Sequence, residues 1–151
     1  MTPHGVTRAD IVAEARGWLG TPWRHQQRTR GVAVDCAGLV IGVARTLGLV
    51  ARGWNVDGYA RVPDGRSLLE QCDAAMRRIA LAAIAPGDVL VLAVESQPRH
   101  IAIAAPYVHG GLSIIHAQDS RNPARACVVE HRLAPALRAR VVAAYALPGI
   151  A

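Results

Sequence analysis

Lysine and phenylalanine are both absent from this 151-residue sequence, and aromatic residues make up only 4% of it. So few rings leave a binder of single-stranded nucleic acid without the stacking surfaces it needs. No apolar run approaches the ~20 residues of a bilayer-spanning helix. The opening Met1-Thr2-Pro3-His4-Gly5 lacks the charged start and apolar stretch of a signal peptide. A protein without a membrane span or signal peptide is expected, so export would need another route. Cysteine is also scarce, with 3 residues at Cys36, Cys72 and Cys127. An odd number cannot pair fully within one chain, and none has the two-residue spacing of a zinc knuckle or redox pair. No metal and no cofactor is expected, and Cys72 and Cys127 are expected to be reduced and buried.

All 17 basic residues are arginine, against 11 acidic ones, for a net charge of +6 and a pI near 10.2. Such a surplus attracts anionic partners: nucleic acid, anionic lipid or an acidic wall polymer. The choice of arginine over lysine in an alanine-rich chain is also what GC-rich coding produces, and the shortage of aromatics argues against nucleic acid. At 52% hydrophobic and 19% charged residues the chain is that of a folded globule, and its length fits one domain spanning 1–151.

Turn residues divide the chain. Thr7 and Asp10 form a capping-box pair ahead of Ile11, Val12, Ala15, Trp18 and Leu19, which share one helical face up to Gly20 and Pro22. The polar stretch from Trp23 to Gly31 reads as a loop. A second helix is predicted from Asp35 to a stop at Gly48, which puts Cys36 in its first turn. Residues 49–66 read as an irregular connection. Ser67 and Glu70 cap a third helix whose apolar stripe runs through Cys72 to Ile79, so Cys72 is predicted to pack. Beyond Pro86-Gly87-Asp88 the pattern turns to strand-length apolar runs: Val89–Val94, His100–Ala105, Leu112–Ala117, Cys127–Glu130 and Val141–Leu147. Helices first and strands afterwards predict an α+β domain, with N-terminal helices packed on a C-terminal antiparallel sheet.

Cysteine becomes a nucleophile where its thiolate is stabilised, and the first turn of a helix offers unsatisfied N–H groups and a positive dipole end. Cys36 has that position, between Asp35 and the small residues Ala37 and Gly38, which would let a substrate backbone approach. A base must then come from a facing strand. His100 opens such a strand, with Ala102 and Ala104 on its own face. If 106–111 form a hairpin loop, cross-strand partners have numbers summing to about 217, which sets His116 beside His100. One histidine would act as base and the other would orient it. His4, His109 and His131 read as surface residues, and His25 lies in a loop able to line a cleft.

Five blocks, in order, carry a family resemblance: Gly20-Thr21-Pro22-Trp23, Asp35-Cys36-Ala37-Gly38-Leu39-Val40, Pro86-Gly87-Asp88-Val89-Leu90, His100-Ile101-Ala102-Ile103 and Ile115-His116-Ala117. Together they resemble the NlpC family of cell-wall cysteine endopeptidases. The run Trp23-Arg24-His25-Gln26 and the basic C-terminal stretch ending in Pro148-Gly149 are similar to the small members associated with phage tails and gene transfer agents. The resemblance implies a papain-like fold and hydrolysis of peptidoglycan stem peptides, commonly between D-γ-glutamyl and a diamino acid. It implies Cys36 as nucleophile, His100 as general base and His116 as the orienting residue. Trp23, His25, Asp35, Ala37 and Gly38 would serve substrate binding. Trp23 stands where the family usually has tyrosine, which removes a hydroxyl donor, and Ala37 replaces the commoner serine.

The resemblance further implies a baseplate or tail component, partnered by tail hub proteins and acting in the wall or periplasm of a target cell. Two other readings remain open: a catalytically idle tail-tip subunit of the same fold, and an amidase or acyltransferase using the same Cys-His site.

Overall fold

The computed structural model describes residues 5–50, 67–94 and 96–150. The predicted capping box is present at the start of α1 (Arg8–Arg16): the Thr7 hydroxyl accepts from the Asp10 N–H at 3.1 Å, and the Asp10 carboxylate accepts from the Thr7 N–H at 2.9 Å. The helix buries Ile11, Val12 and Ala15. A two-stranded ribbon, β1 (Arg28–Thr29) and β2 (Ala33–Val34), follows inside a region that reads in sequence as plain loop. Then come α2 (Cys36–Thr46) and α3 (Ser67–Ala75). Most of the irregular connection expected over 49–66 lies outside the described residues.

The rest of the chain builds one antiparallel sheet. Its strands are β3 (Arg77–Ile79), β4 (Val89–Val94), β5 (Gln97–Pro106), β6 (Leu112–Ala117), β7 (Val128–Arg132) and β8 (Val141–Ala146). A single turn, α4 (Pro135–Arg138), joins β7 to β8, and the strand order is β3-β8-β4-β5-β6-β7. Helices and antiparallel sheet thus form the α+β architecture expected from the sequence.

Three local expectations are corrected. The third helix ends at Ala75 rather than Ile79, because Arg77–Ile79 pair with Ala144–Ala146 of β8 and complete that side of the sheet. Pairing to a waiting edge outweighs a helical apolar period. Cys127 precedes β7 and instead bridges to Pro22. It is only partly buried, whereas Cys72 is buried as expected, and all three cysteines are reduced.

Both faces of the sheet are covered. Val89, Val91, Ile101, Ile103, Ala105 and Ile115 join Ile11, Leu39 and Val43 of the helices in one core. The alternate positions Leu90, Leu92, Ala102, Ala104 and Ile114 join Leu133 and Val141 in a second. A sheet buried on both sides reads as continuous apolar runs, which is why β4 shows no polar alternation. The small Ala102 and Ala104 therefore contribute to the second core, while Ile101, Ile103 and Ala105 contribute to the core shared with the helices. The N-terminal helix is tied to β4 by an ion pair: Arg8 Nη1 donates to Asp88 Oδ1 at 2.5 Å, and Asp88 is fully buried.

Candidate active site

Asp35 shapes the start of α2. Its Oδ1 accepts the Gly38 N–H at 2.7 Å and its Oδ2 the Gln26 N–H at 2.5 Å, with the residue only 2% exposed. The Asp35 N–H donates to the Gln27 carbonyl at 3.1 Å, so the loop 24–35 is cinched against the helix. Gly38 is required by this closeness: a Cβ there would drive into the Gln27 carbonyl and the Asp35 carboxylate. Asp35 and Gly38 thus hold the turn that presents Cys36.

The thiol itself differs from expectation. Burial, with a smaller contribution from the Asp35 charge, pushes Cys36 up to about 12, against the backbone N–H groups of Ile101, Ala37 and Cys36 that favour the thiolate. The helix N-terminus does not win, and burial favours the neutral thiol. The Ile101 N–H at the sulfur sets Cys36 beside the β5 residue that follows His100. No hydrogen bond joins Cys36 to His100 among the described residues.

On the sheet, Ile103 pairs with Ile115 and Ala104 with Ile114, so partner numbers sum to 218 rather than 217. The extra residue leaves His100 and His116 on one face in a diagonal relation, within reach for ring side chains. They meet: His100 Nε2 lies 2.6 Å from His116 Nδ1, with rings nearly perpendicular at 83°. His116 continues on its other side, where its Nε2 lies 2.7 Å from His131 Nε2. His131 belongs to β7 opposite Ile114 and is exposed, so its ring ends the row at the surface. Burial lowers His100 to about 4, helped by the nearby His131. Burial also lowers His116 to about 3, helped by both neighbouring histidines. Both inner rings are therefore neutral at neutral pH, as a base requires.

The four nitrogens of the row meet in two separate pairs, one on each side of the His116 ring. Two imidazole nitrogens on one zinc ion would stand about 3.3 Å apart, given bonds of about 2.0–2.1 Å. Separations of 2.6 and 2.7 Å are shorter than that and set each pair in direct, close ring-to-ring hydrogen-bond contact.

The residues expected to bind substrate fall in different places. Trp23 and His25 line a groove of about 520 Å³ with Pro22, Gln27 and Pro123. His25 Nδ1 is 3.9 Å from Asp35 Oδ2. Ala37 instead lines a narrow apolar crevice with Ile101, Val40 and Cys72 between α2 and α3. His109 is exposed in the β5–β6 turn, as expected, and His4 lies outside the described residues. Sequence reasoning missed His131 as a member of the histidine row. The available signal was its register, because once β6 and β7 pair with sums of 245, position 131 falls on the His116 face.

No family model and no curated protein matches the chain at the level of sequence. Solved structures do. The chain is similar to the NlpC/p60 domain of the peptidoglycan hydrolase SagA, at TM-score 0.62 and 24% identity, covering 93% of this chain and 99% of that one. It is similar to an NlpC/p60 family protein from Bacillus cereus at TM-score 0.65 and 15% identity, covering 96% of this chain but 41% of that longer one. An N-acetylmuramoyl-L-alanine amidase from Bacteroides uniformis is also similar, at TM-score 0.57 and 11% identity, with coverage of 95% and 99%. Helices on a six-stranded antiparallel sheet here make the papain-like fold of NlpC/p60 domains.

Proposed function

We propose that the protein is a cysteine hydrolase of peptidoglycan stem peptides, with Cys36 as nucleophile, His100 as general base and His116 as the group that orients it. The observation that carries this reading is the 2.6 Å contact between His100 and His116, on the strand whose Ile101 lines one crevice with Ala37, the residue after Cys36. With His100 Nε2 engaged by His116, Nδ1 is the ring nitrogen left to serve the thiol. As the sulfur attacks the carbonyl carbon, its proton passes to Nδ1, which avoids a free thiolate in a site that disfavours one. Backbone N–H groups at the start of α2 stabilise the oxyanion. His100 then gives the proton to the leaving amine, and a water deprotonated by the same ring hydrolyses the thioester. His100→Ala is expected to lower kcat by about 10²–10⁴-fold.

The bond cut is, on this reading, that between D-γ-glutamyl and a diamino acid, and the protein acts as a tail or baseplate component during wall penetration. Support comes from the five ordered motif blocks, the Trp23-Arg24-His25-Gln26 run and a charge of +6 suited to an acidic wall. The similarity to an amidase favours one second reading, cleavage of the muramoyl-alanine bond by the same three residues. Incubation with a disaccharide tripeptide containing diaminopimelate separates the two. A free diamino acid product supports the endopeptidase, and an intact tripeptide released from the sugar supports the amidase. Detection of the chain in purified tail particles would support the proposed location, and its absence from them would count against it.

A further inference from the structure

The outermost histidine has no part in the roles assigned so far. His131 lies on the edge strand β7, two residues from the cross-strand partner of His116, and presents its Nε2 to the His116 ring at 2.7 Å. Its other nitrogen, Nδ1, faces the Arg132 carbonyl at 3.4 Å. That oxygen is the only member of the row with no choice of role, because a carbonyl can only accept.

From this end the proton positions of the whole row follow. The Arg132 carbonyl, at 3.4 Å a long contact, biases His131 toward the tautomer with hydrogen on Nδ1, and in a neutral ring Nε2 is then a lone pair. His116 Nε2 must donate to it, so His116 Nδ1 is a lone pair in turn. His100 Nε2 must donate to that, and His100 Nδ1 is left bare, which is the form a general base needs. The opposite order would set a lone pair of His131 against the Arg132 oxygen and a hydrogen on His100 Nδ1, which could then accept no proton. A protein that placed only His116 next to His100 would leave both orders open, since an imidazole presents either a donor or an acceptor.

We propose that His131 is a positioning residue, which through His116 holds His100 in the tautomer with a free Nδ1. This rests on the reading of Cys36 and His100 as nucleophile and base, although the tautomer chain itself is a property of the folded protein. Around His131 the charged and titratable groups are Arg132 beside it and Tyr107, Arg16 and Glu130 along the adjoining groove. Arg16 and Glu130 satisfy one another at 3.0 Å.

The test uses the full chain with nitrogen-15 in its histidines, and compares wild type with His131→Leu and His131→Gln. Nitrogen-15 NMR is expected to show hydrogen on Nδ1 of His131 and on Nε2 of both His116 and His100. His131→Leu removes the acceptor and is expected to convert His100 to a tautomer mixture, with alkylation of Cys36 by iodoacetamide slowed about tenfold. In His131→Gln the amide oxygen still accepts from His116, so tautomer and alkylation rate are expected to recover. Melting curves establish that the variants are folded, as a solvent-facing position allows. Hydrogen on His100 Nδ1 in the wild type, or an unchanged tautomer and rate in His131→Leu, would overturn the proposal. A wild type with the expected tautomers that cleaves no muropeptide would support the relay and remove the hydrolase reading instead.

Discussion

At His100 and His116, burial removes the charged form of each ring while the other supplies the hydrogen bond that the neutral form needs. The consequence for stability has a definite sign. Both groups sit below the ordinary histidine value of 6.5, at about 4 and about 3, so the unfolded chain binds protons first as pH falls. Their contribution is complete above about pH 6.5 and is lost progressively down to the folded values of about 4 and about 3. Urea midpoints should therefore fall between pH 7 and pH 5, before most carboxylates titrate, and His116→Gln should flatten that slope. A wild-type midpoint level across this interval would contradict the burial argument. Activity should keep its base down to about pH 4, with no acid limb at 6.5. The inner residues Cys36, His100 and His116 were legible because each belongs to a motif with its own periodicity. His131 was not, because its place depends on the β6–β7 register, which the long connection between Ala117 and Val128 does not fix in the sequence.

Elements were legible where local chemistry decides them. The Thr7–Asp10 box and the Asp35 cap are both in place, and each marks a helix start that the sequence identifies. Arg77–Ile79 was misread because its partner, β8, lies some 65 residues further along the chain. The ribbon of β1 and β2 was missed because two-residue strands have no periodicity to detect. Around α2 the local devices can be separated by substitution. Asp35→Ala removes the acceptor of two N–H groups and should destabilise the fold by about 1–2 kcal/mol, measured by denaturant unfolding. Gly38→Ala pushes a methyl group into backbone and should cost about 1–3 kcal/mol while also lowering the alkylation rate of Cys36. Equal stability and reactivity in Gly38→Ala would mean that the turn before Cys36 is looser than its hydrogen bonds indicate.

Over the whole molecule, two apolar cores sandwich one sheet, and the N-terminal helix is bound to it by its apolar face and by the Arg8–Asp88 and Arg16–Glu130 pairs. Among the described residues, Arg8→Ala would leave the Asp88 carboxylate with only the Ala85 N–H, at 2.8 Å, and should lower stability by about 1.5–3 kcal/mol with kcat unchanged. A loss of kcat without a loss of stability would place Arg8 in the chemistry rather than in the scaffold. The α+β class was legible from the order of helical and strand periods, but the second core was not, since it needs the residues of α4 and its flanks to cover the sheet. The central claim is that Cys36 attacks a bond of the wall with the help of this histidine row. Its most direct test is the release of soluble peptides from purified peptidoglycan by wild type and by folded Cys36→Ala, followed by mass spectrometry. Release by the wild type and none by Cys36→Ala is the expected result, and equal release by both would contradict it.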